Sequence, residues 1–242
     1  MIHRGVAGPV PLRGARRRAG VAAALVALLT GTLSLYVADR AGGADPSRCE
    51  RFAAASVERA REVSGSGARV VVIGDSWSVG LGLRSPAASW PSRLPGSIRV
   101  AGFSGSGFSE RASDCGRVSF ADRAPAALAG GADLVVVEGG LNDYDQSDAA
   151  ITSGFVRLVR ELDGHRVVVV GPASAPSRAA DVPHVDALLA ELAGEYDVAY
   201  VRTDDLALTY LDDRLHLTPA GHRAFGDAVA ARVAAVSGRP AA

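Results

Sequence analysis

The sequence predicts an α/β domain, a parallel sheet with helices on both faces joined by right-handed crossovers. Two patterns carry this. Short β-branched runs, such as Val70-Val71-Val72-Ile73 and Val167-Val168-Val169-Val170, have the near-continuous apolar character of strands buried on both faces. Segments with apolar residues at helical spacing alternate with them, as at Ile151, Phe155, Leu158, Val159 and Leu162. The 242 residues suffice for one sizeable domain plus an extension.

Residues 1–44 stand apart. Arg4, Arg13, Arg16, Arg17 and Arg18 precede an uncharged run over 19–38, the pattern of an export signal. About 20 residues span a bilayer, so the run suits a membrane-spanning signal anchor. A cleaved signal peptide is the other reading, with a cut after Gly43 and Ala41 three residues from the bond. In both cases the arginines stay inside and the remainder goes out. The expected location is extracytoplasmic, membrane-anchored or secreted. A buried core helix is the remaining alternative, opposed by the arginines just upstream.

Residues 45–66 read as a helix and linker leading into a domain over 67–238. Asp45 suits an N-cap and Pro46 the first helical position. Phe52, Ala53, Val57, Ala60 and Val63 recur at helical spacing, and the Gly/Ser run 64–67 ends the helix. Strands are expected over 69–74, 98–101, 133–137, 166–170 and 198–201. Helices are expected over 120–129, 148–162, with Asp148 as its cap, 185–196 and from 218 to about 236.

Formal net charge is zero, so nothing global points to nucleic acid. All 26 basic residues are arginine, which excludes a Schiff-base lysine and a P-loop lysine. Cys49 and Cys115 are the only two cysteines. In an exported domain they are disulfide candidates; two separate thiols are the alternative.

The chemistry centres on Gly74-Asp75-Ser76, at the carboxyl end of the first expected strand, where ligands bind in open α/β sheets. A serine hydroxyl needs a base to become a nucleophile. Of five histidines, His3 lies before the apolar run, His165 opens a strand at its far end, and His184 and His222 sit in helices. His216 follows the last strand, three residues after Asp213. In a turn or a helical start that spacing lets Asp213 hold one imidazole nitrogen while the other faces Ser76. A surface Asp–His pair at a helix N-terminus is the alternative, and Asp212 is a rival orienter. Oxyanion donors can come from Ser76 N–H, from Gly105 after the second strand and from the Asn142 amide after the third. Turn and cap roles would also explain Gly105 and Asn142.

Together these blocks resemble the SGNH/GDSL hydrolase family over roughly residues 69–236. Gly74-Asp75-Ser76 resembles its first block, Gly102-x-x-Gly105 the second, Gly140-Leu141-Asn142-Asp143 the third and Asp213-Arg214-Leu215-His216 the last. The resemblance implies a flavodoxin-like three-layer α/β/α fold and a metal-free, cofactor-free serine esterase. Ser76 would be the nucleophile, His216 the base and Asp213 its orienter, with Ser76, Gly105 and Asn142 as the oxyanion hole. Trp77 stands where the family's namesake leucine is found. Ala101 stands where an asparagine commonly precedes the second-block glycine.

The expected substrate is a small-molecule, lipid or glycan ester. Trp77 and Phe103, with Trp90 and Phe108, could line an acyl pocket, and core packing is their alternative. Two other functions compete. A pseudo-hydrolase could bind an envelope glycan without turnover. A nucleotide or flavin binder would use the glycine-rich turns, but Gly80-x-Gly82 and Gly105-x-Gly107 both lack the third glycine of the fingerprint.

Overall fold

The computed structural model describes residues 46–237. The export segment over 1–44 and the Asp45 cap lie outside the described residues. Among those described, no helix is long and apolar enough to cross a membrane.

Six strands form one sheet: β1 (Val63–Ser64), β2 (Arg69–Gly74), β3 (Ser97–Gly102), β4 (Leu134–Glu138), β5 (Val167–Val170) and β6 (Ala199–Val201), in the order β1-β3-β2-β4-β5-β6. The last five are mutually parallel, and leaving β1 aside their order is the doubly wound flavodoxin order. The sheet is parallel as expected, with one addition at its edge. The two-residue β1 pairs antiparallel with the edge of β3. It is too short for periodicity to reveal, and it shields an otherwise open edge.

The strand pleat divides the core. Val70 and Val72 face a cluster containing Trp77, Trp90 and Phe225, while Val71 and Ile73 face one containing Phe108, Phe120 and Phe155. Helix α6 (Pro219–Ser237) covers the first face. Helices α3 (Phe120–Leu128), α4 (Asp148–Glu161) and α5 (Val182–Glu195) cover the second, giving the three layers. Expected bounds agree to within a few residues, although Ser147 rather than Asp148 caps α4.

Helix α1 (Pro46–Arg61) packs along β3, but not on the expected face. Val57 and Val63 are exposed, and the inward positions are Phe52, Ala55, Ser56 and Arg59. Arg59 is fully enclosed; its Nε–H donates to Ser89 Oγ and its Nη1 to Glu62 O. An arginine stem can fill an apolar position while its head finds oxygens, which hydrophobic spacing cannot anticipate. Cys49 of α1 is bridged to Cys115, with 5.4 Å between the Cα atoms. Closing such a loop stabilises by about 4 kcal/mol in the chain-entropy model.

Candidate active site

The site lies where β2, β3 and β4 end. At Gly74 an added Cβ would fall 2.1 Å from Ser78 Oγ, so β2 must finish in glycine. Asp75 then caps the four-residue helix α2 (Ser76–Val79), its Oδ1 accepting from Trp77 N at 2.8 Å. This turn holds Ser76 at the rim, only 5% exposed.

His216 Nε2 lies 3.1 Å from Ser76 Oγ, and its Nδ1 lies 2.6 Å from Asp213 Oδ2. A carboxylate accepts and does not donate, so Nδ1 carries the proton and Nε2 is left to accept from the serine. The same carboxylate's Oδ1 accepts from the backbone N–H of Leu215 and of His216, both at 2.9 Å. Burial pushes the Asp213 carboxyl up; the bond from His216 and the two backbone donors outweigh it and leave it below its ordinary value. The local geometry is a turn and not a helical start. Arg214 sits at φ +58°, and Tyr210 and Leu217 form an antiparallel bridge on either side. His216 bonds Asp213, and the rival Asp212 is not used.

Gly105 adopts φ +81°, a left-handed turn that favours glycine. Among the described residues neither its N–H nor that of Ser76 is given to another protein group. The Asn142 amide donates to Asp75 Oδ2 at 3.0 Å and to Ser106 O at 2.9 Å. It therefore joins the nucleophile turn, the turn after β3 and the end of β4. The structure thus gathers Ser76, His216, Asp213, Gly105 and Asn142 at one sheet edge.

Sequence reasoning missed the polar groups behind this edge. Asp75 is buried, which pushes its carboxyl up to about 6 against the pull of Trp77 N–H and the charges of His216 and Arg123. Glu138, beneath it, is raised by burial and by Asp75, although Ser78 Oγ and Trp90 Nε1 both donate to it. Asp143 is pushed up to about 7 by burial while accepting from Phe108 N and Ser109 N. Arg123 donates to Gly74 O, Ala101 O and Ser106 Oγ. The one available signal was an acidic residue ending each of two apolar strands, Asp75 after β2 and Glu138 at the end of β4.

The expected acyl-pocket aromatics need correction. Trp77 is 1% exposed, edge-on to Phe225, with Nε1 donating to Leu215 O. Phe103 is 6% exposed and packs edge-on against Phe52. Both are enclosed by core neighbours, as are Trp90 and Phe108. Dense packing around the nucleophile turn encloses these rings. A recess of about 270 Å³ is bordered by Gly105, Asn142 and Tyr144. The other three histidines that the structure describes lie elsewhere. His184 pairs with Asp148 on the surface, His222 is buried in α6, and His165 lies just before β5.

Several solved structures share the fold. Est24, a carbohydrate acetylesterase from Sinorhizobium meliloti, is 23% identical with a TM-score of 0.57, covering 69% of this chain and 99% of its own. The native aryl esterase of M. smegmatis is 22% identical with a TM-score of 0.53, covering 70% and 100%. A family two carbohydrate esterase from Clostridium thermocellum, solved with cellohexaose, is 16% identical with a TM-score of 0.56, covering 72% and 66%. At these identities the likeness is one of fold. No curated protein matches the chain in sequence. The family profile of the GDSL-like lipases/acylhydrolases, however, matches residues 72–224, more than half of the chain, and the protein belongs to that family of ester hydrolases.

Proposed function

We propose that the protein is an exported serine esterase that cleaves a carboxylic ester through an acyl-serine intermediate. The unbroken line from Ser76 Oγ through His216 to Asp213 carries this reading. Ser76 Oγ attacks the ester carbonyl carbon as Nε2 takes its proton. The carbonyl π pair moves onto oxygen, where the N–H groups of Ser76 and Gly105 receive the charge. The Asn142 amide joins them by sharing a hydrogen now held by Asp75 or Ser106. The tetrahedral species collapses, the alcohol leaves with the proton from Nε2, and Ser76 stays acylated. Water then repeats the sequence with His216 as base and frees the acid.

The basic and apolar pattern of residues 1–38 supports export, as does the Cys49–Cys115 bridge. An acetyl or other short acyl ester suits a site whose aromatic neighbours are closed. Turnover of 4-nitrophenyl acetate tests the reading. Wild-type protein should hydrolyse it and Ser76→Ala should fall to background, whereas equal rates in the two would refute it.

A further inference from the structure

The recess next to the oxyanion positions has an unusual lining. Its walls come from α1, from the loop after β3, from the loop after β4 and from the loop before α5. Each except the third contributes an arginine, Arg48, Arg111 and Arg178. The guanidinium of Arg178 lies over the Tyr144 ring, 3.5 Å from its centre, which fixes its plane and leaves its edge for donation. Its Nε–H is enclosed and has no partner, and the same is true of the Nε–H of Arg48. Arg111 is exposed and faces no carboxylate partner among the described residues.

Two carboxylates share the lining. Asp114 already pairs with Arg48 Nη2 at 3.3 Å, and Asp145 accepts from Gln146 Nε2 at 2.7 Å. Gln146 is neutral and leaves the Asp145 charge in place, so three guanidinium groups against two carboxylates give the lining a small positive excess, and its enclosed unpartnered polar atoms, Arg48 Nε and Arg178 Nε, are both donors. A fatty acyl chain wants apolar walls, and this recess is built mainly of arginine, aspartate, serine and amide groups. The Cys49–Cys115 bridge ties the helix carrying Arg48 to the loop carrying Arg111, so two of the three arginines are held on a common frame.

We propose that this recess is an anion subsite, and that the preferred ester carries a carboxylate or phosphate group a few bonds from the scissile carbonyl. The proposal rests on the esterase reading for the placement of that carbonyl at Gly105 and Asn142. It adds a substrate class, an anionic ester, which that reading alone does not supply.

The test uses the full chain and matched pairs of esters that differ only in charge. For an anion on the acyl side the pair is 4-nitrophenyl hydrogen adipate and its methyl ester. For an anion on the alcohol side it is acetylated methyl glucuronide and acetylated methyl glucoside. At least one charged member should exceed its neutral twin by about tenfold in kcat/KM, mostly through KM, the size of one charge-assisted contact. The preference should shrink as salt rises, because the arginines are partly open to solvent. Arg111→Gln should narrow the ratio and Arg111→Glu should invert it. Ratios at or below one in both pairs overturn the proposal.

Calorimetry on Ser76→Ala protein separates this from the esterase reading. Adipate or glucuronate should bind and should fail to bind when Arg111→Glu is added. Absence of all ester turnover with binding intact would sink the hydrolytic reading and keep the subsite. Turnover without binding or charge preference would do the reverse.

Discussion

In the proposed mechanism the proton of Ser76 Oγ passes to His216 Nε2, 3.1 Å away, while Asp213 takes Nδ1–H and so holds the tautomer. Asp213→Asn should therefore lower kcat by about 10²–10⁴-fold with little change in KM. The amide still offers one oxygen to Leu215 N and His216 N, so the turn should persist and thermal unfolding should barely move. Unchanged kcat in this variant would contradict the orienting role. Asn142, which donates to Asp75 and Ser106, is the side-chain donor of the proposed oxyanion hole. Asn142→Ala should cost about 10²–10³-fold in kcat, and a steady-state comparison with wild type measures it. The line from Ser76 through His216 to Asp213 was legible from residue types and order, because those groups are the ones the proposed acyl transfer needs whatever the fold. Asp75, Glu138, Asp143 and Arg123 were not, because their partners come from other strands and only folding makes them neighbours.

At the scale of elements, the loop between β3 and α3 is held by packing against α4. A Cβ on Gly154 would lie 2.0 Å from Phe108 O and 2.6 Å from Phe108 C, backbone atoms that cannot swing away. Gly154→Ala should destabilise the protein by about 1–3 kcal/mol in urea unfolding. It should also slow catalysis, because Ser109 N and Phe108 N are the groups that Asp143 clamps next to Asn142. Full stability in this variant would show that the helix and loop can part without cost. The strands of this layer were readable because burial on both faces makes them uniformly apolar. Helix α1 was misread on its buried face because an arginine and a disulfide hold it where apolar residues were expected. β1 escaped notice because two residues have no period.

Across the whole molecule, stability depends on pH through buried groups that pull in opposite directions. Burial, with a smaller contribution from the charge of His216, lowers His222 from 6.5 to about 4. The unfolded chain then binds the proton more tightly than the fold. This contribution is complete above pH 6.5 and is lost as pH falls toward 4, up to about 3 kcal/mol. Asp143 has the other sign. Its carboxyl rises from 3.8 to about 7, so the fold holds the proton and the contribution fades as pH climbs through that range. His222→Asn should flatten the acid limb of a stability–pH curve, with the amide oxygen able to replace the ring nitrogen that accepts from Trp90 N. An acid limb as steep as that of wild type would refute the assignment. The doubly wound order was legible as a class from the alternation of strands and helices, and it is the order that brings the ends of β2, β3 and β4 side by side.

The most direct test of the central claim, that Ser76 is an activated nucleophile, is labelling of the folded protein with a fluorophosphonate followed by peptide mass spectrometry. A single adduct on the peptide containing Ser76, formed in the native state and lost on denaturation before labelling, is the expected result. A native protein that takes up no label, or takes it up at another serine, would contradict the account.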